Sequence, residues 1–217
     1  MHSDYLRERF LRHIDKDSID TIFEIGSRDA VDAILLRDAF DARVYAFECN
    51  PEALAVCREN LKDEHDIRLV ENAAWCENGP IRFYPVIETL VEGQRIPTNI
   101  GASSCFRARS DYHQRNIQTE IVVEAIRLDD FCRAEQLTRV DLVCMDVQGA
   151  ALQVLQGMSE TIEKTRYLIS ELEQKEIYHH QSLFPEVCQF LTAKGFRLTE
   201  EAARDGWFSD YMFIRDY

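Results

Sequence analysis

The chain has 217 residues, 46% of them apolar and 29% charged, the composition of a globular protein long enough to bury one substantial core. Its 25 Lys and Arg against 39 Asp and Glu give a formal charge of −14, and without a dense basic run such a surface repels DNA or structured RNA. No apolar stretch approaches the ~20 residues that span a bilayer, and the seven scattered cysteines show neither a CxxC pair nor metal-like spacing, so they read as buried, reduced thiols.

Residues 1–20 read as a charged amphipathic helix with Tyr5, Leu6, Phe10 and Ile14 turned inward. They lack the apolar core of a signal peptide, and a cytoplasmic protein is expected. Next comes an apolar run, Thr21–Ile25, with Glu24-Ile25-Gly26 at its end, then a helical pattern, Ala30–Phe40. A second run, Val44–Phe47, ends in Glu48. This strand–loop–helix–strand unit places acids at the carboxyl ends of both strands, where an open parallel sheet forms its ligand crevice. Pro51–Leu61 is helical, with Pro51 in the first turn, and Ile67–Val70 is a third strand followed by Asn72-Ala73-Ala74.

Ala73–Asp130 is too long for a simple crossover, and 76–126 reads as an insertion that serves as a lid on the acceptor side. Its ends, Ile81–Tyr84 and Glu120–Ala125, read as strands, and Glu88–Asn116 reads as irregular. Asn99, Ser103 and Ser104 in it suit a polyol, while Arg107 and Arg109 add charge. The alternation resumes with strands Val140–Met145 and Tyr167–Ser170 around a helix, Ala150–Glu163. Helix Phe184–Lys194, capped by Gly195, leads to strands Phe196–Thr199 and Tyr211–Ile214. The expected architecture is one α/β domain over 1–217: a mostly parallel seven-stranded sheet, helices on both faces, and an antiparallel C-terminal hairpin.

The first loop has only Gly26 where a dinucleotide site wants G-x-G-x-x-G, and Ser27 and Arg28 crowd the place of a pyrophosphate. A nucleoside cofactor without phosphate, S-adenosylmethionine, fits better. On that reading Glu24 organises the loop and reaches the methionine ammonium, Gly26 and Ser27 offer backbone, Glu48 takes the ribose, and Asn72 and Ala73 read the adenine. Asp146, at the end of the fourth strand, orients an acceptor hydroxyl, holds the methionine end or caps the next helix. Glu171 shares a strand face with Glu173, and beyond them Tyr178, His179 and His180 can lean over the pocket. Asp146, Glu171 and His179 are the candidate bases. A divalent ion on Asp146, Glu171 and a His is chemically coherent, but no metal is assigned.

Glu24-Ile25-Gly26, Phe47-Glu48-Cys49-Asn50-Pro51, Asn72-Ala73-Ala74, Gly101-Ala102-Ser103-Ser104, Arg127-Leu128-Asp129-Asp130-Phe131 and the run Asp141–Ala150 resemble, in this order, the FkbM-type methyltransferases. The resemblance covers about 22–214. It implies the Rossmann-like class I methyltransferase fold, S-adenosylmethionine as cofactor, Asn50 beside Glu48 in its site, and O-methylation of a sugar, glycan or secondary metabolite. The chain departs from the family pattern at Ala30, where a later glycine is usual, and at Ala151, where members commonly carry an acid. An NAD-type oxidoreductase and a non-catalytic cofactor sensor remain the alternative readings.

Overall fold

The computed structural model describes residues 3–204 and 206–215. The leading segment is not one helix. It folds as a 3₁₀ turn at Asp4–Leu6, a single helical turn α1 (Glu8–Leu11) and a second 3₁₀ turn at Lys16–Ser18. The break falls at Arg7, whose backbone is extended, and it lets Tyr5 and Phe10 reach the core from separate turns, with Ile14 and Ile19 following from the connecting residues. Ion pairs hold the segment down. Asp4 meets Arg7 and Arg204, both at 2.6 Å, while Asp210 meets Arg204 at 2.9 Å and Arg7 at 3.3 Å.

The chain then runs through β1 (Thr21–Ile25), α2 (Val31–Phe40), β2 (Arg43–Phe47), α3 (Pro51–Leu61) and β3 (Ile67–Val70). The long connection holds β4 (Ala73–Ala74), β5 (Gly79–Phe83), β6 (Val86–Val91), β7 (Gln94–Ile96), a 3₁₀ turn at Ile100–Ala102, β8 (Gln114–Gln118) and β9 (Ile121–Ile126). After α4 (Leu128–Ala134) come β10 (Leu142–Met145), α5 (Ala151–Gly157), β11 (Tyr167–Glu173), α6 (Phe184–Ala193), β12 (Phe196–Ala203) and β13 (Phe208–Arg215).

Seven strands form one sheet in the order β12-β13-β11-β10-β1-β2-β3. The pairs from β11 through β10, β1 and β2 to β3 are parallel, and β13 runs antiparallel between β11 and β12. The chain winds outward from β1 to β3 on one side and from β10 to β11 on the other. The strand order therefore reverses between β1 and β10, and the crevice opens beyond their carboxyl ends. Alternation divides β1 between two cores. Phe23 and Ile25 join the face covered by α4, α5 and α6, whereas Ile22 packs with α2 and the N-terminal turns. Phe131 anchors the first face, its ring 5.1–5.8 Å from those of Phe23, Tyr45 and Phe47 in edge-on contacts.

Two elements differ from the sequence pattern. The middle of the insertion, expected to be irregular, is a small sheet in the order β7-β6-β8, with β6 and β7 joined by a tight turn at Glu92-Gly93. Its strands Gln94–Ile96 and Gln114–Gln118 are polar and half-exposed, so no apolar alternation announces them. The expected helix over 150–163 stops at Gly157 because Asp129 claims the next turn. The buried Asp129 carboxylate accepts N–H bonds from Glu160 (3.1 Å) and Thr161 (2.8 Å) and a hydroxyl bond from Ser159 (3.1 Å). Among the described residues, no helix is long and apolar enough to cross a membrane.

Asp129 thus ties α4 to the turn after α5. Asp129→Ala strands two backbone N–H groups and is expected to cost roughly 3 kcal/mol of unfolding free energy in urea titrations. Calorimetric binding of any ligand in the crevice should be unaltered at temperatures where the variant is folded.

Candidate functional site

The first loop is built against the end of β10. Gly26 has φ +88°, and a Cβ there would overlap the carbonyl oxygen of Asp146. The N–H groups of Gly26 and Ser27 both donate to the Phe47 carbonyl, at 2.9 and 3.0 Å, and Asp146 N–H donates to Ile25 O at 3.0 Å. The loops after β1, β2 and β10 are thereby locked together. Above them lies a cavity of about 360 Å³, roofed by residues 99–103 of the insertion.

Gly26, Ser27, Glu48, Asn50, Asn72, Ala73, Asp146 and Glu171 all line this cavity. Glu48 is nearly buried, and burial raises its carboxyl above the ordinary value although three backbone N–H groups stabilise the charged form. Oε1 accepts from Cys49 (2.8 Å) and Asn50 (2.7 Å), and Oε2 accepts from Arg28 (2.8 Å). Of roughly four lone-pair directions on a carboxylate, one on Oε2 stays open. Asn50 caps α3 through Glu52 N–H at 3.2 Å and donates to Ser103 Oγ at 3.3 Å, so it joins the second strand to the roof. Arg28 also lines the cavity, its side chain against Gly101 and its guanidinium 3.2 Å from Asp29.

Glu24 and His179 do not line the cavity. Glu24 falls on the β1 face that carries Ile22, turns under α2, and accepts a hydrogen bond from Ser27 Oγ in full burial, which raises its carboxyl well above the usual range. It organises the loop from beneath. His179 is exposed, with its N–H on Arg107 O at 2.8 Å.

Asp146 and Glu171 stand side by side because Met145 pairs with Ser170 in the parallel ladder and each acid is the next residue. Gln148 joins them, its Nε2 donating to Asp146 Oδ1 at 2.5 Å and to Glu171 Oε1 at 3.1 Å. Tyr178 hydroxyl donates to Gln148 Oε1 at 2.7 Å and lies 3.0 Å from Ala102 O. Burial raises both carboxyls. Glu171 goes well above the ordinary range, with the Asp146 charge adding to the effect, whereas the Gln148 bond, Arg204 and Arg28 restrain Asp146. Among the described residues, no cluster of three or more His, Cys, Asp and Glu has metal-holding geometry.

Several lining residues escape the sequence pattern. Asp4 and Tyr5 come from the N-terminal turns, Arg204 from the link between β12 and β13, Phe208 from the start of β13, and Tyr112, Gln114 and Asn116 from the polar edge of the insertion. Nothing local marks them. Gln148 lies inside a motif already singled out, but its reach to Glu171 depends on strand register.

The family model of the methyltransferase FkbM domain matches residues 25–198. The 2-O-methyltransferase NoeI of Sinorhizobium fredii (strain NBRC 101917 / NGR234) is 36% identical over 167 residues, covering 74% of this chain, and the chain spans 66% of that relative's length. Among solved structures, fibrillarin of Aeropyrum pernix, with natively bound S-adenosyl-L-methionine, aligns with a TM-score of 0.54 at 12% identity, covering 93% of this chain and 69% of fibrillarin. TrmK of M. capricolum, in complex with S-adenosyl-homocysteine, aligns with a TM-score of 0.55 at 12% identity, covering 99% of this chain and 69% of TrmK. At that identity the shared property is the architecture, the class I methyltransferase sheet.

Beneath the acid pair, Glu173 is buried and accepts the Gly149 N–H, and burial raises its carboxyl to about 8 from an ordinary 4.5. A carboxyl raised on folding contributes its full stability below the unfolded value and loses it as the pH rises through the folded one. Glu173→Gln should therefore gain on the wild type between about pH 4.5 and pH 8. The gain is expected to approach ~1.4 kcal/mol per pH unit. Urea unfolding of the two proteins across that window measures it, and a constant difference would contradict it.

Proposed function

The chain belongs to the FkbM methyltransferase family, and from that premise we propose that it is an S-adenosylmethionine-dependent methyltransferase acting on a hydroxyl of a sugar, a glycan or a secondary metabolite. The observation that carries the reading is one cavity holding both a nucleoside-type cofactor wall, Gly26 to Asn50, and the acid pair Asp146 and Glu171. The residues fit this cofactor. Glu48 retains acceptor capacity for a ribose hydroxyl, Asn72 and Ala73 border the adenine position, and Gly26 and Ser27 present the loop backbone. The Arg28 guanidinium suits the carboxylate of the amino-acid end. The same Arg28, packed on Gly101, fills the space a pyrophosphate needs, which disfavours NAD.

The cofactor supplies a methyl carbon on a positively charged sulfur. The protein's own work is alignment and proton removal. Asp146, which takes the shorter of the two Gln148 bonds, accepts a hydrogen bond from the acceptor hydroxyl and takes its proton as the oxygen attacks. Glu171 keeps its proton and confines the charge to its neighbour. Asn99, Gln114 and Asn116 line the roof side with neutral carboxamides that can donate to and accept from hydroxyls. A neutral polyol suits such a wall.

Calorimetry is expected to show S-adenosylmethionine binding and no NAD binding; the reverse would overturn the reading. Glu48→Ala should weaken the cofactor by about 1.5–3 kcal/mol, the scale of hydrogen bonds to a charged group. Asp146→Asn should bind cofactor yet lose ~10²–10⁴-fold in methyl transfer to whichever member of a sugar and hydroxy-metabolite panel the wild type accepts. Cofactor binding with no product from any acceptor would favour the sensor reading instead.

A further inference from the structure

Two neighbouring carboxyl groups at the floor of a cavity repel when both are ionised, and a cation between them would ionise both. Here the bridging group is the neutral amide of Gln148, whose two N–H bonds match the two acids one to one, at 2.5 and 3.1 Å. The amide cannot turn over freely, because its oxygen faces the Tyr178 hydroxyl at 2.7 Å. Tyr178 is held in turn: Gln181 Oε1 accepts the N–H groups of Ile177 (2.6 Å) and Tyr178 (2.5 Å). The Gln148 backbone is pinned as well. It sits at φ +49°, where a non-glycine residue is strained, and its carbonyl accepts from Ser104 Oγ at 2.7 Å. A glycine there would relieve the strain, so the side chain has another use.

We propose that Gln148 is a positioning residue: its single amide NH₂, oriented by Tyr178, spans Asp146 and Glu171 and sets the order in which the two acids hold a proton. The geometry stands by itself, and its catalytic meaning rests on the methyl-transfer reading above. With Gln148 in place the acceptor's proton has one defined destination, Asp146, and Glu171 stays protonated beside it. No charge is added near the reacting hydroxyl. The other titratable or charged groups acting on the pair are Glu48, Glu173, Asp210, Arg204, Arg28, Tyr5 and Tyr178. Among the described residues, none of them bridges the two acids by a hydrogen bond, and all are retained in the test variants except Tyr178.

The test needs no acceptor. Carboxyl ¹³C shifts of Asp146 and Glu171, assigned through Asp146→Asn and Glu171→Gln, are followed against pH in the full chain, with thermal melting in parallel. The wild type should show two separate titrations, Asp146 below Glu171. Gln148→Gly, which removes backbone strain, should keep its melting temperature and move the Asp146 midpoint up by about one pH unit. Gln148→Asn, too short to reach both acids, should behave alike, and Tyr178→Phe should shift the midpoint in the same direction by less. An Asp146 midpoint unchanged in a folded Gln148→Gly would overturn the proposal, as would a fall in melting temperature without a shift in midpoint. Calorimetry with S-adenosylmethionine on the same samples separates the two readings: a wild type that binds none defeats the methyltransferase reading and leaves the Gln148 linkage standing.

Discussion

The site depends on one close approach, that of the loop after β1 to the loop after β10. At Gly26 the backbone lies so near the Asp146 carbonyl that no Cβ fits between them. That contact brings the cofactor-side loop and the acid pair to a single cavity, and the Phe47 carbonyl, accepting from both Gly26 and Ser27, brings the second strand to the same point. Glu48 then completes the lock by accepting the Arg28 N–H from the first loop and two N–H groups from its own. Three strand ends are held by backbone groups and one side chain, Glu48, which leaves most lining side chains free for ligand chemistry.

Acids serve three distinct purposes in this chain, and burial and partners decide which. Asp129 and Glu24 are buried and spent on internal hydrogen bonds, one tying a helix to a turn, the other supporting a loop from below. Asp146 and Glu171 face the cavity with a neutral donor between them. Asp4 and Asp210 are paired with Arg7 and Arg204 and fasten the N-terminal turns to the last two strands. That fastening has a functional side. Asp4, Tyr5, Arg204 and Phe208 line the cavity but lie outside the 25–198 segment that matches the family model. Part of the cavity wall is thus supplied by the chain's flanks.

The central strands and most helices were legible in the sequence because they are buried on both sheet faces or pack one apolar face, and periodicity records both. Thr21–Ile25, Ile67–Val70 and Pro51–Leu61 lie where the pattern puts them. The N-terminal turns and the β7-β6-β8 sheet were not. Tyr5, Phe10 and Ile14 have helical spacing yet reach the core from a 3₁₀ turn, a helical turn and the segment after it, and a half-exposed polar sheet has no apolar alternation to read. Glu24 was legible as an acid at a strand end, but which way it faces follows from the pleat once the two cores are known.

By itself, then, the sequence determined that the chain winds a parallel sheet and carries acids at four of its strand ends, since these are properties of short windows with fixed periods. Only the tertiary structure decided which of those acids meet. Asp146 and Glu171 become neighbours through the register of β10 on β11, Gln148 reaches both, and Tyr178 arrives from the loop beyond β11 to orient it. The physical reason is that register and loop closure are set by packing across the whole sheet. No stretch of chain shorter than the sheet contains that information.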